Sequence, residues 1–172
     1  EAPSLQDRTV TTGTVSADLV RRFAAGGYVG RAAGRAFDTR VNYPYAPYDE
    51  LRFEMAVRKE GDVDARLHVR ASEVRSSVDL IRQMLAKLQP GLIAAPMPQP
   101  KAAGACAMVE AFRGDIFLSL RINADGRLAH VHARDASWFQ WPLLEAAIEG
   151  NIVADFPLCN KSFNCSYSGH DL

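Results

Sequence analysis

Between residues 62 and 88 the apolar positions Leu67, Ala71, Val74, Val78, Ile81, Leu85 and Leu88 recur at spacings of 4, 3, 4, 3, 4 and 3. That period draws one apolar stripe along a helix. Asp62 and Asp64 stand in its first turn and Lys87 in its last, the charge order that the helix dipole favours, and Pro90-Gly91 stops it. At 1.5 Å per residue the helix spans about 40 Å. Such a stripe calls for partner helices along its whole length, and the chain offers no second helix of similar length. Partner structure is therefore expected to be missing. An open stripe favours association, so the chain is expected either to dimerise or to bury the stripe against its own sheet.

Shorter patterns surround this helix. Ser16 N-caps a short helix over Ala17–Ala25, closed by Gly26-Gly27. Residues 28–49 are rich in glycine, arginine and tyrosine; Tyr43, Pro44, Tyr45, Pro47 and Tyr48 predict an ordered loop. Alternation of Leu51, Phe53, Met55 and Val57 with Arg52, Glu54 and Ala56 predicts a half-buried strand. Pro90, Pro96, Pro98 and Pro100 mark a linker. Three strand-like runs follow, 105–112, 115–122 and 128–133, joined by tight turns at Arg113-Gly114 and Asn123-Ala124-Asp125-Gly126. A short helix over Trp141–Glu149 has Pro142 in its first turn and ends at Gly150. The segment 155–172 has no clear period. The predicted fold is α+β: one long helix, an antiparallel strand meander and irregular termini, divided as 1–90, a proline-rich linker 91–104, and 105–172.

Composition narrows the function. The 172 residues carry 20 basic and 20 acidic side chains, a formal net charge of zero. Neither half is polybasic, with 14 basic to 12 acidic residues up to position 100 and 6 to 8 beyond it, so nucleic acid is not an expected partner. With 48% hydrophobic and 23% charged residues, the chain reads as globular, with no run of the roughly 20 apolar residues that span a bilayer. Three cysteines are too few for a disulfide framework and point to a reducing compartment. The opening at Glu1, without methionine and in mid-pattern, leads us to expect a piece of a larger protein.

Candidate chemistry is sparse. Cys159 and Cys165 are separated by five residues, unlike the two of a compact metal loop, and His170 follows Cys165 by five; buried or incidental thiols are the favoured reading. His130 and His132 share one face of a strand and read as polar surface. Gly26-Gly27-Tyr28-Val29-Gly30 lacks the preceding strand a phosphate loop needs. Glu110 and Arg113 flank a turn, where a guanidinium can stabilise developing negative charge or simply pair with the carboxylate. The 16 arginines to 4 lysines suit multidentate interface contacts and also follow from nucleotide composition.

Taken in order, several stretches resemble the large subunits of nickel–iron hydrogenases and their relatives in respiratory complex I. They begin with Arg8-Thr9, Gly13, Val15-Ser16, Gly34, Asp38, Arg40, Pro44-Tyr45 and Tyr48-Asp49. The long helix continues the match through Gly61-Asp62-Val63-Asp64-Ala65-Arg66, Val69-Arg70, Glu73 and Ser77. Glu110-Ala111-Phe112-Arg113-Gly114 is similar to the family's Glu-Ala-Pro-Arg-Gly turn, and Arg134-Asp135-Ala136-Ser137-Trp138 to its Arg-Pro-Pro-Ser-Phe segment. The resemblance covers nearly the whole chain and is strongest toward the membrane-bound, energy-converting (formate hydrogenlyase-type) branch and the complex I subunit.

Hydrogenases of this family hold nickel and iron with two Cys-x-x-Cys pairs. The N-terminal pair would lie before Glu1. Aligned from Asp155-Phe156-Pro157-Leu158, the C-terminal pair falls on Ser166 and Gly169, with Asn164 in place of the preceding aspartate and Cys165 one place out of register. A hydroxyl and a hydrogen are not ligands for a soft nickel–iron centre. Arg113 matches the arginine that overhangs the metal. The resemblance thus implies a subunit that has lost the metal site, as in complex I, where the vacated region helps form a quinone pocket. Glu110, Arg113, Arg134, Arg66 and Arg70 are the candidate cavity residues. No metal or cofactor is expected in this chain by itself. A quinone acceptor and a neighbouring iron–sulfur subunit are implied for the parent NADH:quinone oxidoreductase-like complex, lying in the cytoplasm and peripheral to the inner membrane, and the fragment is expected to be incompetent alone. The alternatives are an assembly module with a relic cavity and a hydrogenase using Cys159 and Cys165.

Overall fold

The computed structural model describes residues 3–96 and 101–171; the predicted linker prolines Pro98 and Pro100 lie outside the described residues, as do Glu1 and Leu172. Helix α1 (Pro3–Thr9) leads into α2 (Ala17–Arg22), whose N-cap Ser16 accepts from the Leu19 amide at 3.2 Å. Gly26-Gly27 does not close this helix: α2 ends at its C-cap Phe23, three residues short of the expected end, and Gly26 instead N-caps α3 (Gly27–Ala32), which is buried along its whole length. The glycine- and tyrosine-rich pattern hid α3, because a fully buried helix shows no polar face. A one-turn helix α4 (Thr39–Asn42), N-capped by Asp38, precedes the tyrosine-rich loop and a 3-10 turn at Tyr48–Glu50.

The long helix α5 runs Val63–Lys87, with Asp62 as N-cap accepting from the Ala65 amide at 2.8 Å. Its apolar stripe is not covered by the sheet. Val74 and Leu85 are each 65% exposed, and Leu67, Val78, Ile81 and Leu88 are also open. The residues α5 does bury are Val63, Ala65, Arg66, Val69 and Leu80, mostly near its N-terminus. Leu51–Val57 is extended but forms no strand. It pairs with no strand among the described residues, and lies against α5 instead, where Gln83 both accepts from and donates to the Arg52 backbone (2.9 and 2.7 Å).

Strands β1 (Ala103–Ala111), β2 (Gly114–Ile122) and β3 (Leu128–Arg134) form the expected antiparallel meander. Ala111 pairs with Gly114 across the first turn. At the second turn the Asn123 carboxamide accepts from the Asp125 and Arg127 amides. Much of the sheet is exposed, and only Gly114 and Asp115 are buried within it. Helix α6 (Ser137–Ile148) begins a full turn earlier than predicted, so Pro142 lies in its interior rather than its first turn. A 3-10 turn and α7 (Phe156–Phe163) order the segment that showed no period.

The core therefore sits between helices. Val15, Val20, Tyr28, Val29, Ala32, Ala65, Val69, Leu143, Leu144, Cys159 and Phe163 pack as one cluster joining α2, α3, α5, α6 and α7. None of the described helices is long and apolar enough to cross a membrane.

Candidate functional site

Three of the five candidate side chains converge on Tyr28 of α3. Arg70 of α5 lies 5.4 Å from the Tyr28 ring centre and 5.1 Å from Phe112, the residue that replaces the family's proline in the β1–β2 turn. Tyr28 and Phe112 are themselves 5.7 Å apart. Arg113 follows in the same turn, 5.9 Å from the Phe112 ring, and its Nε donates to the Asn164 carbonyl at the end of α7. Arg66, one turn before Arg70 on α5, is 1% exposed and stacks 4.5 Å from the Phe163 ring. Its guanidinium donates to the Gly13 carbonyl (2.9 Å), the Gly61 carbonyl (2.8 Å) and the Ser162 hydroxyl (2.9 Å). Burial pulls its pKa down to about 10, so it stays charged at neutral pH.

The tyrosine hydroxyl donates to the carbonyls of Ser162 and Phe163. Burial raises its pKa to about 12, with Cys165 adding and Arg70, Arg66 and Arg113 opposing. Among the described residues, Arg66, Arg70 and Arg113 have no ion-pair partner. Three guanidiniums stand around one neutral phenol, each 4.5–5.9 Å from an aromatic ring; Arg66 is buried behind the others, and the half-buried Arg70 and Arg113 are the ones placed to meet negative charge developing on a bound molecule.

Glu110 and Arg134 lie elsewhere. Glu110 does not pair with Arg113 across the turn. It joins a buried network around Arg31, a residue of α3 that is 2% exposed and that sequence reasoning missed. Arg31 reaches Glu110 at 2.8 Å, Glu73 at 2.7 Å and Asp38 at 3.3 Å, and donates to the Phe37 carbonyl at 2.9 Å. The second Glu110 oxygen accepts from the Thr39 amide (3.0 Å), and Arg40 grips Asp38 with two bonds at 3.0 and 2.8 Å. Burial raises the Glu73 carboxyl pKa, and Arg31 opposes it. Asp38, Arg40 and Glu73 were visible only as parts of matching stretches. No signal distinguished Arg31, since a buried arginine on a short helix has no pattern of its own. This network floors a groove of about 660 Å³ walled by Leu67, Val74, Val78 and Phe112. Arg134 bonds Asp115 at 2.6 Å and lies 4.6 Å from the Phe139 ring, bracing β2, β3 and α6.

Ser166 and Gly169, the positions that the resemblance assigns to thiolates, fall beside Asp135 and α6. The Ser166 hydroxyl accepts from the Gly169 amide at 3.0 Å and lies 3.3 Å from the Ser168 hydroxyl, while the Ser166 amide donates to Ser137. A Cβ built on Gly169 would lie 2.8 Å from the Asp135 carboxyl carbon, so a longer side chain there meets Asp135 at once. Cys165 is half-buried near Arg113, its thiol raised to about 11 by burial. Cys159 is buried in the core beside Gly13 and Arg66. No group of three or more metal-binding side chains forms among the described residues. This donor set does not fit a nickel–iron centre: one position offers a hydroxyl already in hydrogen bonds, the other no side chain, and the nearest thiol is held protonated.

Comparison with known proteins agrees with this architecture. The chain is 37% identical over 163 residues to the carbon monoxide-induced hydrogenase of Rhodospirillum rubrum, covering 94% of this chain and 45% of that one. It is 32% identical to formate hydrogenlyase subunit 5 of Escherichia coli (98% and 30%) and 31% identical to an NADH-quinone oxidoreductase subunit of Desulfotalea psychrophila (88% and 42%). The chain thus spans less than half the length of these relatives. A chain of the membrane-bound sulfane sulfur reductase, an archaeal respiratory membrane complex, superimposes with a TM-score of 0.92 at 28% identity, covering 100% of this chain and 49% of that one. Residues 1–104 match the family described as the 49 kDa subunit of respiratory-chain NADH dehydrogenase, and this chain, an α+β segment with one long helix and a strand meander, belongs to that family.

Proposed function

We propose that this chain is part of the large subunit of a membrane-associated, hydrogenase-like redox complex that passes electrons from a neighbouring iron–sulfur subunit to a quinone-type acceptor. In this reading the chain lies peripheral to the membrane on the cytoplasmic side and is not competent alone. One observation supports it: Arg66, Arg70 and Arg113 gather around Tyr28, while Ser166 and Gly169 stand at the positions that the resemblance assigns to the thiolates. The acceptor takes two electrons and two protons. Arg70 and Arg113 would offset the negative charge that gathers on its oxygens before the protons arrive from water. Arg66, fully bonded to backbone and Ser162, would brace this cluster rather than touch the acceptor.

The test uses the complete complex, purified anaerobically. Saturable binding of a quinone-site inhibitor, weakened by Arg113→Ala, is expected. Stoichiometric nickel overturns the reading. No saturable binding replaces it with that of an assembly module whose cavity is a relic.

A further inference from the structure

Helix α6 buries one face at helical spacing: Ser137, Gln140, Leu143, Leu144 and Ala147. Gln140 stands where that stripe would otherwise carry another aliphatic residue. It is 0% exposed, and its carboxamide oxygen has no hydrogen-bond partner. A buried oxygen left without a donor costs stability, so the core gains nothing from a glutamine here. The other end of the carboxamide supplies the reason. Gln140 Nε2 donates to the Arg113 carbonyl at 2.6 Å, in the two-residue turn between β1 and β2. That carbonyl is packed against Gly27 of α3, so it is enclosed by protein and needs a donor.

The bond fixes the backbone from which the Arg113 side chain leaves. The side chain itself is tethered at Nε, by the Asn164 carbonyl. Its Nη1 and Nη2 have no hydrogen bond among the described residues, which leaves two donors of one planar fork free for an oxygen-bearing ligand. With the Arg113 carbonyl released, the peptide plane of the turn is no longer held in one orientation, and the guanidinium is free to swing away from Tyr28 and Arg70. We propose that Gln140 is a positioning residue: buried behind the turn, it does not reach the acceptor, and it holds the Arg113 fork in the direction that meets the acceptor's oxygens. This inference rests on the reading that Arg113 faces the acceptor.

The test is a double-variant cycle in the complete complex, purified anaerobically, with binding of a decyl-tailed benzoquinone read by calorimetry. Gln140→Met fills the same space without a donor. Arg113→Ala is expected to weaken binding about tenfold and Gln140→Met about fivefold, with the double variant no weaker than Arg113→Ala alone. A merely structural role makes the two effects multiply to about fiftyfold, and that result overturns the proposal. Equal binding by the wild type and Gln140→Met, with Arg113→Ala weakened, also overturns it and leaves the acceptor reading intact. A wild-type complex that binds no quinone overturns the acceptor reading and this proposal with it. Hydrogen exchange over residues 111–115, read by mass spectrometry, needs no acceptor. Gln140→Met should speed it by about tenfold while the turn at residues 123–127 is unchanged. Unaltered exchange at 111–115 overturns the positioning whatever the complex binds. Gln140→Asn, whose carboxamide is one methylene short of the carbonyl, carries the same expectations if Gln140→Met does not assemble.

Discussion

Glu110 of β1 and Arg31 of α3, 79 residues apart in the chain, meet at 2.8 Å with both side chains almost wholly buried. The pair is one of the ties that hold the sheet to the helical body, beside the Arg113 contacts with Gln140 and Asn164. Removing Glu110 leaves Arg31 its contacts with Glu73 and Asp38 but takes away a buried charge-assisted hydrogen bond, at a cost of about 1.5–3 kcal/mol. Glu110→Ala is therefore expected to destabilise the chain by that order in chemical denaturation, since it also frees the Thr39 amide.

Glu73, in the same network, should behave differently. Burial raises its carboxyl pKa against the pull of Arg31, so the folded state keeps this proton to higher pH than the unfolded chain. Its contribution to stability is then present below the ordinary carboxylate range and is lost as pH rises through the folded value. Glu73→Gln should accordingly gain on the wild type as pH rises above the ordinary carboxylate range. Denaturation midpoints that stay parallel over this rise would contradict the assignment.

Tyr28→Phe removes the hydroxyl that bonds the end of α7 and should cost about 1–2 kcal/mol. The wild-type phenol, with its pKa near 12, should resist ionisation until well above pH 10. Because the folded pKa is raised, the stability it contributes is intact below pH 10 and is lost as pH rises toward 12. Ultraviolet titrations of the folded wild type and Tyr28→Phe should therefore superimpose through pH 10, the extra wild-type phenolate appearing only toward pH 12.

Gly27 adopts φ +65°, and an added Cβ would lie 2.0 Å from the Arg113 carbonyl oxygen. This close approach seats the turn bearing Arg113 on α3. Gly27→Ala should cost about 3 kcal/mol from backbone strain and overpacking. It should also weaken acceptor-site binding in the assembled complex, while a conservative change at exposed Ser4 leaves both unchanged.

Thiol labelling separates the cysteines. Cys106 is exposed, Cys165 is half-buried with a pKa near 11, and Cys159 is fully buried. Iodoacetamide at neutral pH should modify Cys106 alone within the time that denaturant exposes all three to reaction. Rapid labelling of Cys165 in the folded chain, read by mass spectrometry, would mean its thiolate is available as a ligand after all.

Local rules made much of this chain legible. The heptad stripe located α5 to within a residue at each end, because Asp62 caps it and Pro90 follows its end. The two hairpin turns located all three strands. The same rules misread Leu51–Val57, where alternation marks an extended segment but cannot supply a neighbouring strand. They also passed over α3, whose burial on every side leaves no period to see.

The sequence by itself determined the elements whose chemistry is local: the capped long helix and the turns. Tertiary structure decided which charges meet. It drew Glu110 away from its turn neighbour Arg113 to Arg31, gathered Arg66, Arg70 and Arg113 around Tyr28, and left the α5 stripe uncovered. Pairing across 79 residues is set by where whole helices pack, and nothing in the spacing of the two residues reveals it.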